Sequence, residues 1–149
     1  MIKLILIGPI SSGKSTLCQA LNNQERVYKK TQVVEIVANV IDTPGEYLEL
    51  RYFNRSLSVA ATDADVVILL QDCTDGRPLY SPAFSTMFGQ KPVLGAISKI
   101  DMATSRDQII KAEQFLKEAG AREVFQVCAM SGEGVEALRE ACKKYRHPQ

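Results

Sequence analysis

Three groups of residues have the types and spacing to act on a phosphorylated ligand. The first is Gly8-Pro9-Ile10-Ser11-Ser12-Gly13-Lys14-Ser15, which fits the phosphate-binding pattern G-x-x-x-x-G-K-[ST]. Gly8 and Gly13 let the backbone bend around an anion with no Cβ in the way. The amides of the loop, those of Ser11 and Ser12 included, and the helix that opens at Thr16 then aim partial positive charge at phosphate oxygens. Lys14 is placed to reach the β- and γ-phosphates, and the Ser15 hydroxyl to ligate Mg²⁺. The second group is Asp42-Thr43-Pro44-Gly45, a D-x-x-G element at the end of an apolar run. Asp42 would hold Mg²⁺ directly or through water, and the Gly45 amide would bond the γ-phosphate. In isolation these four residues read as an ordinary turn. Their place after the phosphate loop and before the charged stretch Glu46-Tyr47-Leu48-Glu49-Leu50-Arg51 gives them a second meaning.

The third group is Ser98-Lys99-Ile100-Asp101, at the C-terminal end of an apolar run, the edge where open α/β sheets bind ligands. The Asp101 carboxylate can accept two hydrogen bonds from guanine, at N1–H and at the exocyclic amine. Adenine has no donor at N1. The Lys99 stem could lie along the base. The plainer alternative is a helix-capping Asp101 beside a surface Lys99.

These groups need elements to hold them. Leu4-Ile5-Leu6-Ile7 reads as a buried strand and Thr16 to Leu21 as a helix, the strand–loop–helix context that the first motif requires. Asn22 to Thr31 is polar and aperiodic and reads as a loop. Gln32–Val37 and Asn39–Ile41 look like two short strands of an antiparallel hairpin, and a short helix is expected over residues 54–61. A further buried strand is expected at Asp65–Leu70, and strands at Pro92–Ile97 and Glu123–Val127. Between the first two of these, the crossover Gln71–Lys91 carries Gly76, Pro78, Pro82 and Gly89, and only a helical turn or two around Ala83–Phe88 is expected. Phe84, Met87 and Phe88 read as packing residues. A long helix is expected after Ser105, which forms a capping box with Gln108. Ile109, Ala112, Leu116 and Ala119 share one face of it, and Gly120 ends it. The last helix carries Val135, Leu138, Cys142 and Tyr145 on one stripe. Strands alternating with helices predict an α/β fold, a doubly wound and mostly parallel sheet with one antiparallel edge strand and helices on both faces.

Composition narrows the function classes. The 149 residues, 46% of them hydrophobic, suit one globular domain over residues 1–149. A net charge of +1 gives no broad field for nucleic acid. No apolar run approaches the length of a membrane span, and none reads as a signal peptide. Cys18, Cys73, Cys128 and Cys142 are scattered and read as small residues of a reduced, cytoplasmic protein, and the single histidine, His147, sits in a polar tail.

The order Gly8–Ser15, Thr31, Asp42–Gly45, Ser98–Asp101 and Cys128–Met130 resembles the five guanine-nucleotide elements of Ras/Era-type P-loop GTPases. Cys128-Ala129-Met130-Ser131-Gly132-Glu133-Gly134-Val135 is similar to that family's Ser-Ala-Lys-x-Gly-Glu-Gly-Val loop. More narrowly, Tyr28-Lys29-Lys30-Thr31-Gln32, Ile41 to Glu49 and Ser81-Pro82-x-Phe84 resemble the ethanolamine- and propanediol-utilisation proteins called EutP and PduV. The resemblance implies a Ras-like sheet of about six strands and a role alongside bacterial microcompartments. It implies that Thr31 ligates Mg²⁺ in the triphosphate state and that Cys128, Ala129 and Met130 line the base. The chain also departs from the pattern. Ser98 replaces the usual Asn or Thr, Cys128 replaces Ser, and Met130 replaces Lys. Glu46 stands where a water-orienting Gln is usual, and an ionised carboxylate cannot donate to phosphate, so hydrolysis is expected to be slow.

Three functions follow from these residues. One is a Mg²⁺-dependent GTP/GDP switch in which Lys14, the Gly45 amide and Glu46 surround the γ-phosphate. Another is an ATP/ADP-using acetate kinase, as the resemblance implies for some EutP-type proteins, with Lys29, Lys30, Arg51 and Arg55 as candidate charges to screen acetate. The last is a non-catalytic nucleotide-binding module that docks onto microcompartment shell or enzyme proteins.

Overall fold

Two of the apolar runs are buried along their whole length, the pattern of strands covered on both faces. They form β3 (Val66–Asp72) and β4 (Val93–Ser98). β1 (Ile2–Ile7), β2 (Val34–Val37) and β5 (Val124–Gln126) complete a five-stranded sheet in the order β2-β1-β3-β4-β5. All four neighbouring pairs are parallel. This is a computed structural model, and it describes residues 2–8, 17, 34–37, 64–76, 78, 80, 82–128 and 130–145.

Side chains alternate between two apolar layers because successive strand residues point to opposite faces. On one face Ile5, Ile7, Val67, Leu69, Val93 and Ile97 pack with Ala112, Leu116 and Ala119 of helix α1 (Arg106–Ala119) and with Tyr80, Phe84 and Phe88. On the other, Leu4, Leu6, Val66, Ile68, Leu70, Leu94 and Ala96 pack with Leu17 and with Val135, Leu138, Ala141 and Cys142 of helix α2 (Val135–Lys144). The α1 face is the one read from the sequence, with Ile109 packed at its edge. Gly120, in the left-handed region at φ 107°, ends the helix as expected. The aromatic crossover forms a 3-10 turn, Phe84–Phe88, and the Phe84 ring lies 5.1 Å from the tilted ring of Tyr80 and 5.9 Å, edge to face, from that of Phe88.

Some local expectations change. β3 runs on through Gln71 and Asp72, and β4 through Ser98, beyond the apolar runs that predicted them. The reason is that the polar ends pair with each other, with Asp72 opposite Ser98 in the final rung. The capping box at Ser105 does not form. Ser105 is the N-cap but makes no side-chain capping bond, and the Gln108 side chain accepts instead from the Thr104 amide at 2.7 Å. β2 pairs parallel with β1, with Ile2 opposite Val34. Its expected antiparallel partner at residues 39–41 and the helix expected over 54–61 lie outside the described residues. Of the helix expected from Thr16, Leu17 is described, and it is helical and buried.

Because the described strands are parallel, their C-terminal ends share one edge. The order 2-1-3-4-5 reverses direction between β1 and β3, and the crevice at such a reversal is where doubly wound sheets take their ligands. Gly8, the first residue of the phosphate motif, follows β1 directly at that point.

Candidate functional site

Among the described residues four polar or charged side chains are buried: Gln71, Asp72, Ser98 and Arg139. Three of them cluster at the C-terminal ends of β3 and β4, beside the crevice. Burying polar groups is costly unless they are bonded, so such a cluster marks either a structural network or a site.

The contacts run from the end of β3 to the loop after β4. The Asp72 carboxylate is divided. One oxygen accepts from the Thr74 amide at 2.8 Å and from the Thr74 hydroxyl at 2.6 Å. The other faces the Lys99 ammonium at 3.1 Å. The Cys73 amide donates to the Ser98 carbonyl at 3.2 Å, and the Cys73 thiol donates to the Lys99 carbonyl at 3.2 Å. Burial, and then the charge of Asp72, pushes the Cys73 thiol up, which keeps it in the protonated form that can donate.

Lys99 itself has φ 59° and ψ 36°, the left-handed region that a Cβ disfavours. With Ala83 it is one of two non-glycine residues at positive φ among the described residues. The left-handed kink turns the chain out of β4 into a short 3-10 turn, Ile100–Met102, which carries Asp101 on an exposed surface. The N-cap of α1 is Ser105, so Asp101 does not cap that helix. Lys99 is half-buried and ion-paired, so it is no simple surface lysine.

The loop after β5 closes the next side. Val127 donates to the Ile97 carbonyl at 2.9 Å and carries the chain to Cys128, which is buried. Cys128 pairs with Glu133 across a tight loop, its amide bonded to the Glu133 carbonyl at 2.9 Å. Gly134, at φ 78°, lies against β5 so closely that a Cβ there would fall 1.9 Å from the Gln126 carbonyl oxygen. Met130, where a lysine was the reference, is 85% exposed.

On the β1 side, the Tyr80 hydroxyl lies 2.9 Å from the Ile7 carbonyl and 2.7 Å from the Leu70 carbonyl and shares its proton between them. Burial pushes this phenol far above its ordinary range, so it stays a donor. It fixes the last residue before Gly8.

The structure therefore brings Ser98, Lys99, Asp101 and Cys128 to one sheet edge with Gly8, and leaves Met130 on the surface beside them. Ser11, Ser12, Gly13, Lys14, Ser15, Thr16, Thr31, Asp42, Gly45, Glu46 and Ala129 lie outside the described residues. Asp72, Cys73 and Tyr80 were not singled out from the sequence as site residues. The signal for Asp72 was a carboxylate closing the run Val66-Val67-Ile68-Leu69-Leu70-Gln71-Asp72. Tyr80 stands immediately before the Ser81-Pro82-x-Phe84 stretch. Among the described residues no cluster of His, Cys, Asp or Glu could hold a metal, and no helix is long and apolar enough to cross a membrane.

Comparison with known proteins gives this arrangement a setting. A family described as ethanolamine utilisation – propanediol utilisation matches residues 1–144. The propanediol utilization protein PduV of Citrobacter freundii is 36% identical, over 93% of this chain and 91% of its own length. A protein named probable acetate kinase EutP from Salmonella typhimurium is 28% identical, over 94% of this chain and 86% of its own. The GTPase Era of Afipia carboxidovorans is 34% identical over 91% of this chain, which spans only 50% of that protein.

Proposed function

The chain belongs to the ethanolamine utilisation – propanediol utilisation family, and we propose that it is a P-loop protein that binds a purine nucleotide with Mg²⁺, prefers GTP and GDP, and hydrolyses GTP slowly. In this reading residues 1–149 form one nucleotide-binding domain that works in the cytoplasm or alongside a microcompartment. The observation that carries it is the loop after β4. Lys99 is held in a disfavoured backbone conformation, and Asp101 follows on an exposed turn at the sheet edge where Gly8 opens the phosphate motif. Strain of this kind persists only where its surroundings impose it, and it concentrates at functional sites. The similarity to Era supports the same reading.

In the proposed mechanism the backbone N–H groups of Gly8 to Thr16 other than Pro9, which has none, cradle the phosphates and Lys14 neutralises charge at the β- and γ-phosphates. Mg²⁺ would add charge neutralisation there, held by Ser15, Asp42 and, in the triphosphate state, Thr31. Gly45 contacts the γ-phosphate. Glu46, ionised, orients water poorly, and turnover is slow. Asp101 accepts from the guanine edge, and the Lys99 stem lies along the base. Cys128 to Met130 line its far side.

A second reading draws on the relatives named probable acetate kinase. Acetate is already an anion. Its oxygen would attack the γ-phosphorus of ATP, the bond to the ADP oxygen would break, and no proton would move, so no general base is needed. The test of both is a competition titration of GDP against ADP, with Mg²⁺, on wild type and Asp101→Ala. A GDP preference of about tenfold or more, about 1.4 kcal/mol, that collapses in the variant supports the guanine reading. ADP binding as tight or tighter, and indifferent to the substitution, overturns it. Acetyl phosphate formation that vanishes in Lys14→Ala would then establish the kinase.

A further inference from the structure

We propose that Asp72 is a positioning residue for the nucleotide base, holding Lys99 in its left-handed conformation and its ammonium across the ends of β3 and β4. The inference rests on the nucleotide reading above and adds to it a residue on a neighbouring strand.

Four contacts tie the loop after β4 to the end of β3. Asp72 and Ser98 face each other in the last rung of the sheet. Cys73 reaches over that rung with its amide to the Ser98 carbonyl and with its thiol to the Lys99 carbonyl. The Asp72 carboxylate, whose side chain is 10% exposed, then takes the Lys99 ammonium at 3.1 Å. Together they secure both the backbone and the side chain of one residue whose φ of 59° would otherwise relax. A free Lys99 would sweep many rotamers, and a ligand would have to order it on binding. Pairing with Asp72 settles this beforehand. It draws the stem back from β4 towards β3, across the sheet edge, and leaves Asp101 as the exposed carboxylate of the pair.

A plainer role exists for the same side chain. Asp72 opens a turn, with the Asp75 amide donating to its carbonyl at 3.0 Å and Thr74 bonded to its other carboxylate oxygen. The two roles use different oxygens, so they can be separated. Asp72→Asn keeps an acceptor for Thr74 but turns an amide donor, or at best a neutral oxygen, towards Lys99. Asp72→Glu keeps the charge but moves it one methylene out of the turn. Thr74→Val removes the hydroxyl arm and leaves the ion pair.

The experiment is a titration of the full chain with a fluorescent GDP analogue and with ADP as competitor. Wild type, the three variants, Lys99→Met and the double variant Asp72→Asn/Lys99→Met are compared. Asp72→Asn is expected to weaken GDP binding about three- to tenfold, and to have no further effect once Lys99 is methionine, because the two act as one unit. Asp72→Glu is expected to recover most of that loss, and Thr74→Val to stay within about twofold of wild type. Wild-type affinity in Asp72→Asn overturns the proposal. So does an equal loss with and without Lys99, or the reverse ranking in which Asp72→Glu and Thr74→Val bind poorly and Asp72→Asn binds well. Should Asp72→Asn not fold, the ranking of Asp72→Glu against Thr74→Val decides alone. If wild type binds neither nucleotide, the nucleotide reading fails and this role falls with it, an outcome seen before any variant is made.

Discussion

Replacing Lys99 by glycine and by alanine separates what its backbone costs from what its side chain contributes. A Cβ-bearing residue at φ 59° pays roughly 1–2 kcal/mol relative to an ordinary conformation. Glycine removes that cost but returns about 0.5–1 kcal/mol through its freer unfolded chain. Either substitution deletes the ion pair with Asp72, whose Lys99 side chain is 34% exposed and therefore screened. That loss is about 0.5–1 kcal/mol. It is no larger because Asp72 keeps both Thr74 bonds and is not stranded as a bare buried charge. The sum leaves Lys99→Gly within about 1 kcal/mol of wild type and Lys99→Ala about 0.5–1 kcal/mol below the glycine variant. Urea titration reads the ranking from midpoints at unchanged slope, and each kcal/mol should move Tm by about 2–4 °C in a chain of this size. The glycine variant should bind GDP more weakly than wild type although it is nearly as stable. An alanine variant as stable as the glycine one, or more so, would show that position 99 is not strained, and the argument from its conformation would fail.

Other perturbations follow from single contacts. Gly134→Ala would force a Cβ onto the Gln126 carbonyl at positive φ and should cost about 3 kcal/mol or more in chemical denaturation; a cost under about 1 kcal/mol would mean that the loop from Cys128 yields freely. Leu116→Ala, at a fully buried position, should lose about 2–5 kcal/mol on the same assay. Tyr80→Phe should lose about 1–2 kcal/mol through the missing bonds to Ile7 and Leu70, and an unchanged midpoint would show those bonds to be idle. Stability should also fall in alkali. Burial, then the charge of Glu123, pushes the Cys142 thiol from its ordinary 9.0 up to about 12, and Cys73 and Tyr80 shift the same way. A raised folded pKa favours the native state below the unfolded value and loses that advantage as pH rises through the folded one. Tm should therefore hold up to pH 9.0 and drop between there and about 12; a flat profile across that window would contradict the burial of these groups.

The sequence was most legible where burial alone decides structure. The apolar runs of β1, β3 and β4 and the helical stripes of α1 and α2 have the periods of their elements, and all were found where those periods put them. Element ends were harder, because they are set by pairing and not by hydropathy. Gln71, Asp72 and Ser98 are polar, yet they extend the sheet because Asp72 faces Ser98. The same blind spot hid Asp72 and Cys73 as neighbours of the loop after β4, since they lie 27 and 26 positions from Lys99 in sequence and meet it only through the parallel register. Arg139 is off the apolar stripe of α2 and is nonetheless buried, its guanidinium 2.8 Å from Glu136. Gln108 looked like half of a capping box, but one residue of slack at the helix start lets it bond Thr104 instead. Local pattern cannot choose between such near-equal partners.

The geometry around Lys99 bears on the plain alternative to a ligand site, a capping aspartate beside a surface lysine. Capping fails because the N-cap of α1 is Ser105, four residues beyond Asp101. A surface lysine would have no reason to accept a left-handed backbone, since nothing is gained there to offset the cost. Lys99 accepts it, with a buried carboxylate against its ammonium and a buried thiol on its carbonyl, while the Cys73 amide holds the Ser98 carbonyl just before it. A turn needed only to connect β4 to α1 could have used glycine at position 99. Committing a buried carboxylate and a buried thiol to a strained lysine makes sense if the orientation of Lys99 and of the exposed Asp101 after it is what the fold is preserving. That is the preorganisation expected of a base-recognition loop.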